Sequence, residues 1–119
     1  ENHENMLFDK ELQKLEIPDS FTLVHHDFYA YDPAKEYQFE ANVHYLGEDL
    51  FQVIHEPTQL VVDLGWYGNR TENKGGFVLN VIRNEFWDEP VSKIHETSQK
   101  QIAEVLNRTL FAIHSGIMG

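Results

Sequence analysis

Apolar residues near the N-terminus of the chain recur at helical spacing. Phe8, Leu12 and Leu15 lie three or four residues apart, and Pro18 then ends the segment. A helix places residues with this spacing on one face, and a proline stops it. The pattern therefore predicts a short helix over residues 5–16.

The middle of the chain changes to a period of two. Every second residue from Tyr37 to Tyr45 is apolar, and Gly47 then interrupts the pattern. Such alternation is typical of a strand with one buried face. Residues 37–45 are therefore predicted to form a hairpin with a strand at residues 50–55. Part of the same stretch also fits a helical period, although the alternation favours the strand. The residues that fit the helical period are Phe39, Val43, Leu46 and Leu50.

Further apolar runs predict the rest of a sheet and a helix that covers it. Residues 97–114 carry an amphipathic pattern that Gly116 closes, which predicts a long helix. The chain is long enough to close one hydrophobic core. We therefore expect a single α+β domain over residues 1–119, in which a short N-terminal helix and a long C-terminal helix accompany an antiparallel sheet of about five strands. The additional predicted strands cover residues 21–26, 59–66, 77–83 and 91–95.

Charge is distributed unevenly between two parts of the chain. The net charge is −11, and residues 1–69 account for it, with 14 acidic and 3 basic residues. Residues 70–119 hold 6 of each. A field of one sign repels nucleic acid and anionic lipid, and it raises the encounter rate with cationic partners. The segregation therefore favours a basic protein partner over nucleic acid or a membrane.

Other features of the composition narrow the class of protein. The chain has no cysteine, which excludes disulfides and thiolate metal sites. No apolar run approaches the roughly 20 residues that span a bilayer. Residues 1–14 are charged throughout, unlike the apolar centre of a signal peptide. We therefore expect a cytoplasmic protein.

Seven histidines raise the question of a metal site. His25 and His26 are adjacent, so on a strand they point to opposite faces and cannot share one ion. His44 and His55 would face each other across the predicted hairpin, with Asp63 on the next strand. Their spacing matches no established metal pattern. We therefore predict no metal and no cofactor.

A small hydrolytic enzyme is the sharper chemical alternative. A ribonuclease needs a carboxylate base, a histidine acid and an arginine for the phosphate. The acidic field of this chain opposes a phosphodiester substrate, and we therefore predict no catalytic residues. The candidates for these roles on neighbouring strands are Glu40, His55, Arg83 and Glu85.

Several features follow one another within residues 59–114. Residues 61–67 read Val-Val-Asp-Leu-Gly-Trp-Tyr, a glycine-rich loop follows, and residues 77–82 form a second apolar run. Trp-Asp-Glu-Pro at residues 87–90 and the predicted C-terminal helix complete the pattern. Together these features resemble immunity proteins of bacterial polymorphic-toxin and contact-dependent growth-inhibition systems. The resemblance implies a cytoplasmic protein that binds and blocks a cognate toxin domain, often a nuclease, and it supplies no catalytic residues.

Charge and resemblance together lead to one hypothesis about function. The chain is expected to be an immunity protein that binds one basic toxin domain, one to one, and occludes its active or substrate-binding surface. Acidic residues would carry the contact and an aromatic side chain would anchor it. The alternatives are a small hydrolytic enzyme, a ligand-binding domain with a pocket between sheet and helix, and an acidic adaptor unrelated to toxins. The predicted contact residues are Tyr31, Asp32, Glu36, Glu48, Asp49, Glu85, Trp87, Asp88 and Glu89.

Overall fold

A computed structural model describes residues 9–83 and 88–117 of the chain. Within these ranges the chain forms five strands and three helices. The strands make one antiparallel sheet whose spatial order, β1-β2-β3-β4-β5, follows the chain. The strands are β1 (Phe21–His26), β2 (Phe51–His55), β3 (Leu60–Asn69), β4 (Lys74–Arg83) and β5 (Ser92–Glu96), and the helices are α1 (Pro33–Glu36), α2 (Phe39–Tyr45) and α3 (Gln99–His114).

The expected α+β class, the antiparallel sheet and the C-terminal helix are confirmed. The glycine-rich loop predicted after residue 67 is shorter than expected, because β3 and β4 continue through most of it and pair as far as Asn69 and Lys74. The strands predicted from apolar runs lie within one to three residues of the observed ones. These confirmed predictions covered residues 21–26, 50–55, 59–66, 77–83 and 91–95.

The core lies on the face of the sheet that α3 covers. Alternate residues of β3 and β4 point to this side, and the register pairs Leu64 with Leu79 and Trp66 with Phe77. Their side chains join those of α3 in one buried apolar cluster. Full burial of an aliphatic or aromatic side chain stabilises a fold by about 1.5–3 kcal/mol. The fully buried residues of α3 in this cluster are Ile102, Leu106, Leu110 and Ile113.

Both ends of α3 carry the signals that the sequence pattern requires. The Ser98 hydroxyl oxygen accepts a hydrogen bond from the backbone N–H of Gln101, 3.2 Å away, which caps the first turn. Gly116 follows the helix with φ of 80°. This left-handed conformation suits glycine and lets the N–H of Ile117 donate to the carbonyl of Ala112. The predicted closing role of Gly116 is confirmed.

The predicted strand at residues 37–45 is wrong, because most of this segment, Phe39–Tyr45, forms α2 instead. The hairpin partner predicted for β2 is replaced by β1, which occupies that edge of β2 over its whole length. Segment 37–45 therefore cannot pair with β2 as predicted. As a helix it buries Ala41 and Tyr45 in the core and leaves Phe39 and Val43 half-exposed.

A buried asparagine fixes α2 to the rest of the protein. The Asn42 amide oxygen accepts from the Tyr31 hydroxyl at 2.5 Å. Its amide nitrogen donates to the carbonyl of Arg70 at 2.9 Å and to the Asn73 side chain at 3.0 Å, both in the turn between β3 and β4. A buried side-chain amide needs such partners. A helix of seven residues is marginal alone, so these tertiary contacts decide its conformation.

The predicted N-terminal helix is also wrong over the described part, residues 9–16. This segment is extended, and Leu12 forms a β-bridge with Tyr29. Gln13 donates its N–H to the carbonyl of Phe28 at 2.7 Å. The segment then runs alongside α3, where the N–H of Glu16 donates to the Asn107 side chain at 3.0 Å. Backbone pairing with a neighbouring loop therefore outweighs the local helical spacing.

None of the helices in the described ranges has the length and apolar character needed to cross a membrane.

Candidate functional site

The structure divides the predicted acidic contact residues between two ends of β4. Asp32 and Glu36 lie on or next to α1, close to the turn at residues 70–73. Asp88 and Glu89 are exposed beyond the other end of β4, in its connection to β5. A strand of ten residues is roughly 30 Å long, at about 3.3 Å per residue. These two pairs therefore do not form one compact contact surface.

Two predicted aromatic anchors have different outcomes. Tyr31 is 2% exposed, and its hydroxyl is bound to Asn42. Burial raises the pKa of Tyr31 above its ordinary value. The predicted contact role of Tyr31 is wrong, because the ring packs in the core and positions α2. Trp87 and the predicted acidic residue Glu85 lie outside the described residues.

The two carboxylates of α1 already have partners within the protein. Asp32 caps the helix, because its side-chain oxygen accepts from the N–H of Ala34 at 3.0 Å. Glu36 forms an ion pair with Lys10, with 2.8 Å between carboxylate oxygen and ammonium nitrogen. The hydrogen bond to Glu36 raises the pKa of Lys10, although burial opposes the shift. Groups of the protein itself therefore already interact with both carboxylates.

Glu48 and Asp49 occupy a different position, in the loop that leads from α2 to β2. Both are exposed. The loop continues the sheet, since the N–H of Trp66 donates to the carbonyl of Gly47 at 2.7 Å and Leu50 donates to Leu64 at 3.0 Å. It also passes so close to Gly65 that a Cβ there would collide with the Glu48 carbonyl oxygen. A glycine in β3 thus allows this acidic loop to lie against the sheet.

The loop lies on the side of the sheet away from the core, which we call the second face. The register and the alternation of side chains place every second residue of the two central strands on it. No residue of this set belongs to the buried core cluster. The set consists of Val61, Asp63, Gly65, Tyr67 and Asn69 of β3, and Lys74, Gly76, Val78, Asn80 and Ile82 of β4.

Asp63 is a buried carboxylate on the second face. It is 7% exposed, and one of its oxygens accepts from the Gln52 side-chain nitrogen at 2.9 Å. Burial raises the pKa of Asp63, and the charge of Asp49 raises it further, against the effects of Gln52 and His25. In the part of the chain that the structure describes, no lysine or arginine forms an ion pair with Asp63. The fold therefore keeps this carboxylate in a position that disfavours its charge.

Tyr67 lies two residues further along the same face and is 39% exposed. Partial burial raises its pKa, and the carboxylates of Asp63, Glu48 and Asp49 raise it further. Tyr67 is therefore close enough to these carboxylates to interact with them electrostatically. We call Glu48, Asp49, Asp63 and Tyr67 the Asp63 cluster. The sequence analysis assigned only the first two to a contact surface and considered Asp63 only as a metal ligand, although a charged residue within the apolar run at 61–64 is a visible signal.

A polar row crosses the second face next to this cluster. The strand register sets His25 opposite Gln52, Gln52 opposite Asp63, Asp63 opposite Asn80, and Asn80 opposite Lys93. Opposite residues of paired strands have Cβ atoms about 5 Å apart. The Nε2 atom of His25 is buried and has no hydrogen-bond partner among the described residues. The row is polar on all five strands and has the Asp63 carboxylate at its centre, whereas the adjacent row pairs Val61 with Ile82.

A half-exposed apolar surface lies on the segment before the acidic loop. Tyr37, Phe39 and Val43 are 41%, 47% and 46% exposed. Phe39 and Val43 are one helical turn apart on α2, so they share a side of that helix. Tyr37 is held by its hydroxyl, which donates to the carbonyl of Thr71. Exposed aromatic side chains are enriched at protein-binding surfaces, which have an apolar centre and a polar rim.

The residues of the hydrolytic alternative do not come together. His55 is buried against Phe21, with 4.8 Å between ring centroids, and its Nδ1 lies 2.8 Å from the Thr58 hydroxyl. Burial lowers its pKa. Glu40 is exposed on α2, beside the opposite end of β3, and Glu85 lies outside the described ranges. The proposed set of Glu40, His55 and Arg83 is therefore not an assembled site.

The residues of the metal hypothesis are separated as well. His55 points to the core side of β2, Asp63 points to the second face, and His44 is on α2. Among residues 9–83 and 88–117, no group of three histidine or carboxylate side chains is arranged to hold a metal ion. His25 and His26 take opposite faces, as predicted, with His26 packed edge-on against Phe51.

Comparison of the chain with models of protein families, with curated proteins and with solved structures finds no match in any of the three. The argument for function therefore depends on the charges, exposure and contacts of the residues themselves.

Proposed function

We propose that this protein binds and neutralises a basic protein domain, as an immunity protein does with a cationic toxin, in a one-to-one complex. The Asp63 cluster carries the proposal. Glu48 and Asp49 extend into solvent, and the buried Asp63 lies behind them without a lysine or arginine partner in the described ranges. A cation from a partner would supply the missing countercharge.

The state of Asp63 supports a binding role over a purely structural one. A buried carboxylate without a cation lowers the stability of the fold, because burial disfavours its charged form. An asparagine would occupy the same space and accept the same hydrogen bond from Gln52. Ionisable groups whose pKa the fold shifts are more common at functional sites than elsewhere. Asp63 is therefore better explained by a partner that benefits from its charge.

The apolar surface on α2 provides the anchor that Tyr31 cannot provide. Phe39 and Val43 are half-exposed, and α2 leads directly into the loop that carries Glu48 and Asp49. Interfaces combine a few apolar anchors with surrounding polar residues. We therefore assign Phe39 as the aromatic contact beside the acidic loop.

The identity of the partner as a toxin domain in the cytoplasm rests on the resemblance of residues 59–114 to immunity proteins. Acidity is consistent with that class, since nucleases carry basic surfaces for their substrates and an acidic protein can occupy them. The first experiment is co-expression with the product of the adjacent gene, followed by co-purification. A stable complex with a basic domain, and loss of that domain's activity in the complex, are the expected results.

A pair of charge reversals tests the location of the contact. Glu48→Lys with Asp49→Lys should weaken the complex by at least tenfold, mainly through slower association, because acidic steering raises the association rate. Added salt should slow association of the natural protein steeply and change dissociation less. The reversal should leave the fold intact, because both side chains are exposed and it removes the negative charge of Asp49 near Asp63.

A matched control changes the same amount of charge elsewhere. Glu16 and Glu104 are exposed, and both lie along α3 on the core side of the sheet. Glu16→Lys with Glu104→Lys should change the affinity by less than about threefold, as expected for charges remote from a contact. If this control abolishes binding while the loop reversal has no effect, the partner binds the α3 side and the proposal is wrong.

A further inference from the structure

The second face carries a positive charge at its β5 edge, across the sheet from the Asp63 cluster. The register sets Lys93 opposite Asn80 and His95 opposite Val78, so both side chains of β5 lie on this face. Both are exposed. Adjacent strands are about 4.8 Å apart, so the backbone of Lys93 lies roughly 10 Å from that of Asp63 in the same polar row. The face is therefore acidic near β2 and β3 and cationic at β5.

Lys93 has no acidic partner in the described ranges. The ion pairs there join Lys10 to Glu36 and Lys74 to Glu72. Lys74 also lies on the second face, but Glu72 is 3.5 Å from its ammonium nitrogen. Of these two lysines on the second face, Lys93 is therefore the one whose charge a partner can meet without competing with an internal carboxylate.

A groove separates the acidic part of the face from the cationic edge. Its volume is about 490 Å³, within the range of about 300–1,000 Å³ that is common for binding clefts. The register pairs Tyr67 with Gly76, which has no side chain to fill the space beside the ring. Val78 lies in the floor of the groove, and His95 borders it on the β5 side. A partner segment seated there would have carboxylates on one side and Lys93 on the other.

A lysine on an edge strand also has a structural use, because its charge keeps that edge from pairing with another sheet. β5 is such an edge strand. A glutamate in the same position would protect the edge equally well. The sign of the charge at position 93 is therefore not explained by protection of the edge, and Lys93→Glu changes the sign while keeping the protection.

We propose that the partner presents a carboxylate to Lys93 while one of its cations meets the Asp63 cluster, a conclusion that rests on the proposed function and specifies its geometry. Opposite charges at the two sides of the groove fix the orientation of a complex, because the reversed orientation brings like charges together. The partner is thus a basic domain whose contact surface holds an acidic residue roughly 10 Å from the cation that Asp63 attracts, as the strand spacing requires.

Reversal of Lys93 tests this proposal through the sign of its effect. Lys93→Glu should weaken the complex with the co-purified domain by at least fivefold, because it sets two negative groups against each other. With a partner that is basic over its whole contact surface, the same change would remove a repulsion and tighten the complex. Calorimetric titration measures the affinity. The urea midpoint of unfolding should stay the same, because Lys93 is exposed.

Lys100→Glu is the matched control. Lys100 is exposed on α3, on the core side of the sheet, and its reversal changes the net charge by the same amount. It should leave the affinity within about twofold, as expected for a charge remote from a contact. Equal weakening by both variants would overturn the proposal, and so would an unchanged or tighter complex with Lys93→Glu.

Zero-length cross-linking of the natural complex identifies the group that meets Lys93. A carbodiimide couples an amine to a carboxylate in contact with it and leaves an amide. Mass spectrometry should find Lys93 joined to an aspartate or glutamate of the partner, and reversal of that partner residue to lysine should restore the affinity lost in Lys93→Glu. Links of Lys100 to the partner, with none at Lys93, would overturn the proposal.

The two proposals fail in different ways. If the reversal of Glu48 and Asp49 weakens the complex while Lys93→Glu tightens it, the proposed function stands and the partner presents no carboxylate to β5. If no basic domain co-purifies, the proposed function is wrong and the role of Lys93 is wrong with it.

Discussion

The two faces of the central sheet are built from alternate residues of the same strands, and they perform different tasks. On the core side, Leu64 and Leu79 lie opposite each other beneath α3. On the second face, the neighbouring pair is Asp63 and Asn80, and a buried carboxylate has a raised pKa. The core side stabilises the fold through apolar burial. The second face keeps a buried charge that lowers the stability of the fold. The side of the sheet therefore separates the core residues that α3 covers from the residues proposed to contact a partner.

The largest expected effect is a change on the core side. Leu106→Ala removes a fully buried side chain from α3 and should lower the free energy of unfolding by about 2–5 kcal/mol. Urea unfolding measures this loss. Partner affinity, measured where the variant is still folded, should stay within about twofold, because the proposed contact lies on the other side of the sheet. Glu104→Ala, exposed on the same helix, should cost less than about 0.5 kcal/mol. An equal loss of stability in the two variants would contradict the division between the faces.

A change beneath the acidic loop should have an intermediate effect on stability and a clear effect on binding. Gly65→Ala would bring a methyl group into collision with the Glu48 carbonyl, so the loop must move. The expected cost is about 1–3 kcal/mol, as for other overpacked positions. The affinity for the basic partner should fall with it, because Glu48 and Asp49 move too. Unfolding curves and calorimetric titration are the measurements.

Gly47→Ala is the control for that experiment. Gly47 has a negative φ and open space within 4 Å of the Cβ position, so alanine fits without displacement. Its stability should change by less than about 0.5 kcal/mol. If Gly65→Ala behaves in the same way, the contact between the loop and β3 does not position the carboxylates.

The smallest expected change in stability is an increase at pH 7, caused by Asp63→Asn. Because burial raises the pKa of Asp63, the native protein holds this proton to a higher pH than the unfolded chain does. The contribution of Asp63 to stability should therefore fall as pH rises from the ordinary aspartate value of about 3.9 through the raised native pKa. Asp63→Asn removes this dependence, so the variant should be at least as stable as the natural protein at pH 7, with less difference at pH 4. The same variant should bind the basic partner more weakly.

Urea unfolding across that pH range, with binding measured at pH 7, tests both statements about Asp63. A natural protein that gains stability over Asp63→Asn as pH rises would contradict the sign of the pKa shift. An unchanged affinity would show that the buried charge serves no partner.

The sequence by itself determined those parts of the fold in which the apolar spacing fits only one type of secondary structure. Residues 97–114 have helical spacing, a serine at the start and a glycine after the end, and they form α3. The apolar runs at 59–66 and 77–83 are too short for most helices and rich in β-branched residues, and they form β3 and β4. The charge segregation and the acidic pair at residues 48 and 49 were likewise visible along the chain.

The tertiary structure decided the elements whose local pattern fits two answers. Residues 37–45 match both a strand and a helix, and the choice depends on β1 occupying the edge of β2 and on the bonds of Asn42 to a distant turn. The sequence suggests that Tyr31 is exposed. In the structure its hydroxyl donates to that same asparagine, which holds the ring in the core. Asp63 and Tyr67 become neighbours of Glu48 and Asp49 only because Gly65 lets the loop lie on β3. Spacing along a chain specifies which side of an element is apolar, but contacts between distant segments determine what lies against that side.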